Sequence, residues 1–219
     1  MKRHICATVF GLMLAAGLAN AETLDGQGTY DLLFREGTLD SIARDTSLVY
    51  RRSVTNQLKP EAAERDSGDI ALSIRPSDPS DLVKLELRQG DRHRGLGQFP
   101  ASVGNPVIMF FYEATIRDMA EAAGGSPFYI RNRIKQALVE PSNVTAGLGE
   151  FEGETIETQT ISLFPFEEDP NRERMQGFGD LELQVVMSEE VPGWYLALSA
   201  EAGAVYQSEL RFDGLETAK

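Results

Sequence analysis

The chain has 219 residues, with 34 acidic against 21 basic side chains, two histidines and one cysteine, for a net charge of −13. Such an acidic balance argues against nucleic acid and anionic membrane surfaces as partners, since both repel it. A single cysteine excludes an intrachain disulfide or a thiolate cage for zinc, so stability has to come from burial.

The opening stretch, MKRHICATVFGLMLAAGLANA, has a basic start at Lys2 and Arg3, an apolar run from Ile5 to Leu18 and a small-residue end at Ala19-Asn20-Ala21. That is the layout of a cleavable secretory signal over residues 1–21, with Glu22 as the mature start. An uncleaved anchor would need about 20 apolar residues, and this run is shorter. Cys6 lies too early in it to accept a lipid at the cleavage point, so the exported chain, 22–219, carries no thiol. Losing Lys2 and Arg3 takes its charge to about −15, a solvated surface that favours solubility.

Past a polar, glycine-containing stretch (Glu22 to Tyr30) and a short apolar segment at Leu32, Leu33 and Phe34, Leu48 to Thr55 reads as a strand. Its Leu48, Tyr50 and Val54 face one way, and Arg51, Ser53 and Thr55 the other. Lys59 to Ser67 reads as a connector or one helical turn. Ile70, Leu72 and Ile74 then alternate with polar residues, as do Val83, Leu85 and Leu87, and the turn formers PSDPSD between them predict an antiparallel hairpin. Gln89-Gly90-Asp91 leads into a third strand near His93 to Phe99.

The centre of the chain changes period. Asn105 is placed to cap a helix opening at Pro106, and Gly124-Gly125 to end it. Ile108, Met109, Tyr112, Ile116, Met119, Ala120 and Ala123 form one stripe, opposite Glu113, Arg117 and Glu121. Val107, Phe110 and Phe111 break that pattern, so the start of this helix has to be surrounded or present aromatics to a partner. Ser126 and Pro127 open a second helix, ending before Pro141, with Ile130, Ile134, Ala137 and Leu138 as its main stripe. Arg131 and Lys135 share one flank of it, and Phe128 and Val139 form an opposite apolar strip.

Strand grammar then returns: a ribbon from Gly153 to Phe166, a loop at PNRERMQGFGD, and a meander. The meander carries Leu181, Leu183, Val185 and Met187, then Trp194, Leu196 and Leu198, then Tyr206, Leu210 and Phe212 on its dry face. No repeat of 20 to 50 residues appears. The expected architecture is α+β, a single domain over 22–219: a curved, half-barrel-like antiparallel sheet packed on a central helical hairpin.

Several chemistries lack their residues. The exported part has one histidine, His93, too few for an imidazole zinc site, and no G-x-S-x-G or phosphate-binding loop accompanies it. Asp169, Asn171 and Glu173 alternate like calcium ligands, but Arg174 stands where such a loop needs glycine. No cofactor is indicated. The apolar helix start is read first as core; its alternative is a half-open cleft lined by Met109, Phe110, Phe111, Met119 and Trp194, able to take an acyl chain or a partner's apolar segment.

The run FPASVGNPVIMFFYEATIRDMAEAAGGSPFYIRNRIKQAL, with VPGWYLALSAE, resembles an uncharacterised family of exported proteins from Gram-negative bacteria. The resemblance implies a periplasmic address and brings no activity. A curved sheet on a central helix is also similar in layout to the half-barrel carriers that ferry lipoproteins across the periplasm, an analogy of architecture without a shared motif. The expected function is a non-enzymatic periplasmic module that binds an apolar small molecule or an envelope protein. The alternatives are an envelope-polymer hydrolase using paired carboxylates, or an assembly subunit.

Overall fold

The structure, a computed structural model, describes residues 21–78 and 80–217. The expected leader, apart from Ala21, and Cys6 within it lie outside the described residues.

Ten strands form one sheet. In chain order they are β1 (Ala21–Leu24), β2 (Thr46–Asn56), β3 (Gly68–Arg75), β4 (Leu82–Gln89), β5 (Arg92–Pro100), β6 (Ser142–Phe151), β7 (Glu154–Leu163), β8 (Glu182–Met187), β9 (Tyr195–Ala202) and β10 (Tyr206–Thr217). Their order across the sheet is β1-β6-β7-β8-β9-β10-β2-β3-β4-β5, and every pairing is antiparallel. The sheet is not closed; β1 and β5 are its free edges. Among the described residues, four α-helices accompany it: α1 (Gly26–Leu33), α2 (Pro60–Asp66), α3 (Val107–Ala123) and α4 (Pro127–Ala137).

The alternation in β3 and β4 does what period two demands. Ile70 pairs with Leu87, Leu72 with Leu85 and Ile74 with Val83, all six buried on one face. Leu183, Val185 and Met187 of β8 bury in the same manner. Trp194 is not part of β9. It precedes that strand with a φ of 82°, and an irregularity between Val186 and Met187 puts Tyr195 opposite Met187.

α3 plugs the concave side of the curved sheet. Ile116 and Met119 are 3 % and 2 % exposed, and only Glu113, Arg117 and Glu121 of this helix face water. The helix begins one residue later than its sequence predicts, at Val107, whose N–H donates to Asn105 Oδ1 at 3.1 Å. The same asparagine donates to Tyr50 Oη and to Gly193 O, both at 2.8 Å, tying the start of α3 to β2 and to the turn before β9. A side chain at residue 193 would collide there: a Cβ would sit 2.4 Å from Leu48 Cδ2, at a φ of 79°.

The edge strand β1, the helix α1 and the strand β6 go beyond the sequence reading. α1 hides behind Gly26 and Gly28, yet Asp25 Oδ1 caps it by accepting from Gly28 N at 2.7 Å. Gly26 is required, since a Cβ would lie 1.8 Å from Val139 O just past the end of α4. The C-terminal carbonyls of α1 are met by two aromatic donors: Trp194 Nε1 donates to Leu32 O at 3.2 Å and Tyr195 Oη to Leu33 O at 2.5 Å. β6 is glycine-bearing and mostly exposed, with only Val144 and Ser142 buried, so it lacks the alternation that marks the other strands.

Candidate functional site

The open side of the sheet is where the helices leave a groove. On one side stands the free strand β5, presenting Leu96 and Phe99; on the other stands α1, packed against the opposite edge strand β1 and presenting Tyr30 and Phe34. The floor is α3, with Met109, Phe110, Tyr112 and Ile116, and the far wall is α4 with Ile134 and, just beyond its end, Leu138 and Val139. The space amounts to about 780 Å³, within the range of small-molecule sites.

Local sequence explains this opening. Glycines at 95 and 97 flank Leu96, and Gly97 has a φ of 148°, so β5 offers only Leu96 and Phe99 as large apolar side chains. Phe110 falls at the edge of the buried stripe of α3, half-covered, with the Arg52 guanidinium 5.6 Å from its ring centre. Tyr30 and Phe34, one turn apart, stack at 4.6 Å. Tyr30 and Val139 remain 42 % and 56 % exposed, extending the apolar surface beyond the groove.

The rim is charged. Arg131 grips both oxygens of Glu113, at 2.8 and 2.6 Å, and this hydrogen-bonded pairing, reinforced by the positive charges of Arg131 and Lys135, holds the Glu113 carboxyl below its ordinary range. Lys135, one turn after Arg131, makes no ion pair among the described residues. Arg117 turns from the rim toward the interior, reaching Asp118 at 3.1 Å and Asp66 at 3.5 Å.

Behind the rim lies a buried polar network. Asp118 of α3 accepts from Arg52 of β2 at 2.7 Å and from Tyr206 Oη of β10 at 2.9 Å, and Arg52 also donates to Asp66 O at 2.9 Å. Asp66, at the end of α2, accepts from Arg65 at 2.7 Å and Arg94 at 3.0 Å. Burial alone would raise the Asp66 carboxyl, but those hydrogen bonds and the charges of Arg117 and Arg65 outweigh it and bring it down to about 2. A third buried carboxylate, Asp169, is met by the Tyr129 hydroxyl, Asn171 N and Arg133. Each of these three aspartates is thus engaged by at least one arginine, whereas a carboxylate pair for glycoside cleavage has to face a shared cleft with one member free to titrate. Among the described residues, no three His, Cys, Asp or Glu side chains converge as metal ligands.

Of the residues singled out from sequence, the structure brings Met109 and Phe110 together in the groove. Phe111 is 2 % exposed and belongs to the core. Met119 is buried too, facing the other end of α3 beside Tyr129 and Met175. Trp194 lies against α1 with the Arg35 guanidinium 4.4 Å above its ring. The groove residues that sequence reasoning did not assign, Tyr30, Phe34, Leu96 and Phe99, come from segments whose pattern is interrupted by glycine, so no periodicity marks them. Arg131 and Lys135 did carry a signal, since their four-residue spacing put both on one flank of α4. No protein-family model matches this chain, and no curated protein sequence matches it.

Proposed function

We propose that this protein is an exported, non-enzymatic binding module that holds an apolar ligand in the groove between β5, α1, α3 and α4. The observation that carries this reading is the groove itself: about 780 Å³, floored by Met109 and Phe110 and continued on the surface by Tyr30 and Val139. A soluble protein gains nothing in stability by leaving that apolar surface wet, and an acyl-type ligand would cover it. The address in the periplasm belongs to the same proposal and rests on the basic start, apolar run and small-residue end of residues 1–21. An envelope hydrolase draws no comparable support from the groove, whose lining holds one carboxylate, Glu113, with both oxygens taken by Arg131.

The test is ligand-dependent stabilisation. Saturating laurate, at about a hundred times its Kd, stabilises the folded chain by about 2.7 kcal/mol and raises its melting temperature by about 5 to 10 °C. Phe110→Ser removes that shift while costing less than a fully buried position would, about 2 to 3 kcal/mol of stability, since the ring is partly exposed. Phe111→Ser costs about 3 to 5 kcal/mol because it empties a core position. A melting curve that laurate and other lipids leave unmoved, or a Phe110→Ser protein that binds as the parent does, would overturn the reading.

A further inference from the structure

Resting on the reading of the groove as an apolar-ligand site, we infer that its ligand is a single-chain amphiphile with an anionic head, and that Lys135 and Arg131 on α4 hold the head at the rim.

The groove wall is apolar to its edge and then turns cationic within one helical turn. Ile134 of α4 and Leu138 at its C-cap line the inside, and Arg131 and Lys135 stand on the neighbouring flank of the same helix. Glu113 is the single carboxylate of the lining, and Arg131 occupies both of its oxygens. Arg117 also lines the groove, but its guanidinium is directed to Asp66 and Asp118, which leaves Lys135 as the cation of the lining without a carboxylate partner among the described residues.

The whole molecule sets the scale of this placement. A chain carrying 34 acidic residues repels anions at long range. At the rim Arg131 and Lys135 stand against one carboxylate, Glu113, so the local balance is cationic, and such a field acts within the Debye length of about 8 to 10 Å. A neutral chain would have no use for the reversal, and a cationic amphiphile would be repelled by it. A carboxylate or phosphate head at the rim instead receives charge-assisted hydrogen bonds from Lys135 and from the donors of Arg131 that Glu113 leaves free, while its chain covers Met109, Phe110 and Phe99.

Four probes of one chain length separate the possibilities: laurate, dodecyl phosphate, dodecanol and dodecyltrimethylammonium, titrated as monomers at low ionic strength by calorimetry or by displacement of a fluorescent dye. Laurate and dodecyl phosphate are expected to bind about tenfold tighter than dodecanol, and dodecyltrimethylammonium weakest. The preferred member of the anionic pair tells a carboxylate source from a phosphate source. Added salt narrows the gap, and Lys135→Glu, a change at an exposed position, abolishes it. Equal affinities for laurate and dodecanol, or a preference that Lys135→Glu does not touch, overturn the anionic head and leave the apolar groove standing. Failure of all four probes to bind overturns both.

Discussion

Arg52 is the residue whose behaviour departs furthest from its type. It lies among the inward positions of β2, in phase with Leu48, Tyr50 and Val54, and is 3 % exposed. Asp118 meets it from a position on α3 that is 6 % exposed. A pair desolvated this far gains little over an apolar pair of similar volume, but loses heavily if one partner is removed. Asp118→Ala is therefore expected to cost about 3 to 5 kcal/mol in urea unfolding, leaving the Arg52 guanidinium and the Tyr206 hydroxyl without their shared acceptor. The triple change Arg52→Met, Asp118→Leu, Tyr206→Phe should recover most of that loss; if the single change is neutral, the pair is not buried as described. Nothing in the sequence pointed here, because no spacing relates residue 52 to residue 118, and only the packing of α3 against β2 and β10 reveals that each supplies what the other lacks.

At the level of elements, what periodicity can express was legible and what it cannot was not. β3, β4, β8 and β10 alternate strictly enough to show their faces, and α3 declared its wet side through Glu113, Arg117 and Glu121. α1 and β6 escaped because glycines needed for close approach, such as Gly26 against Val139, dilute the pattern they sit in. The groove inherits that blindness, for two of its four walls are α1 and the glycine-flanked Leu96 of β5. α2 matters through its last residue: Asp66 joins α2 to β5 through Arg94 and to α3 through Arg117. Its carboxyl titrates at about 2 when folded against an ordinary value of 3.8, so it stabilises the fold above about pH 4 and that contribution drains away as pH falls toward 2. The size is about 2 kcal/mol. Glu86, brought down by Lys84 and His93, and Asp169 add contributions of the same sign. Urea unfolding at pH 7, 4 and 3 should show the decline, and Asp66→Asn should be less stable at pH 7 and flatter across the acid range. An Asp66→Asn protein with the parent's full acid dependence would show that the arginines do not hold this carboxyl.

The topology of the whole molecule turns on the last strand. The early block, β2 to β5, and the late block, β6 to β9 with β1 attached, are each built from neighbours in sequence. Only β10 joins them, pairing with β9 on one side and running along β2 from Tyr206–Asn56 to Thr217–Thr46 on the other. It also supplies Tyr206 to the buried Asp118 and Phe212 to the rings of Tyr50 and Phe151. The concave face that α3 fills is therefore continuous only after the two blocks have met, and the groove at the opposite, open side is framed by edges that β10 holds at a fixed separation. Non-local pairing of this kind is slow to form and all-or-none once formed. Ending the chain at Val205 is then expected to abolish the cooperative urea transition of Trp194 fluorescence together with dye binding in the groove, because both halves of the sheet lose their shared neighbour. Deleting Glu22–Leu24 from the edge strand β1 removes a comparable type of pairing from the periphery and should leave the transition cooperative, shifted by about 1 to 3 kcal/mol. A chain ending at Val205 that still unfolds in one sharp step would mean that the early and late blocks associate through α3 without the strand between them.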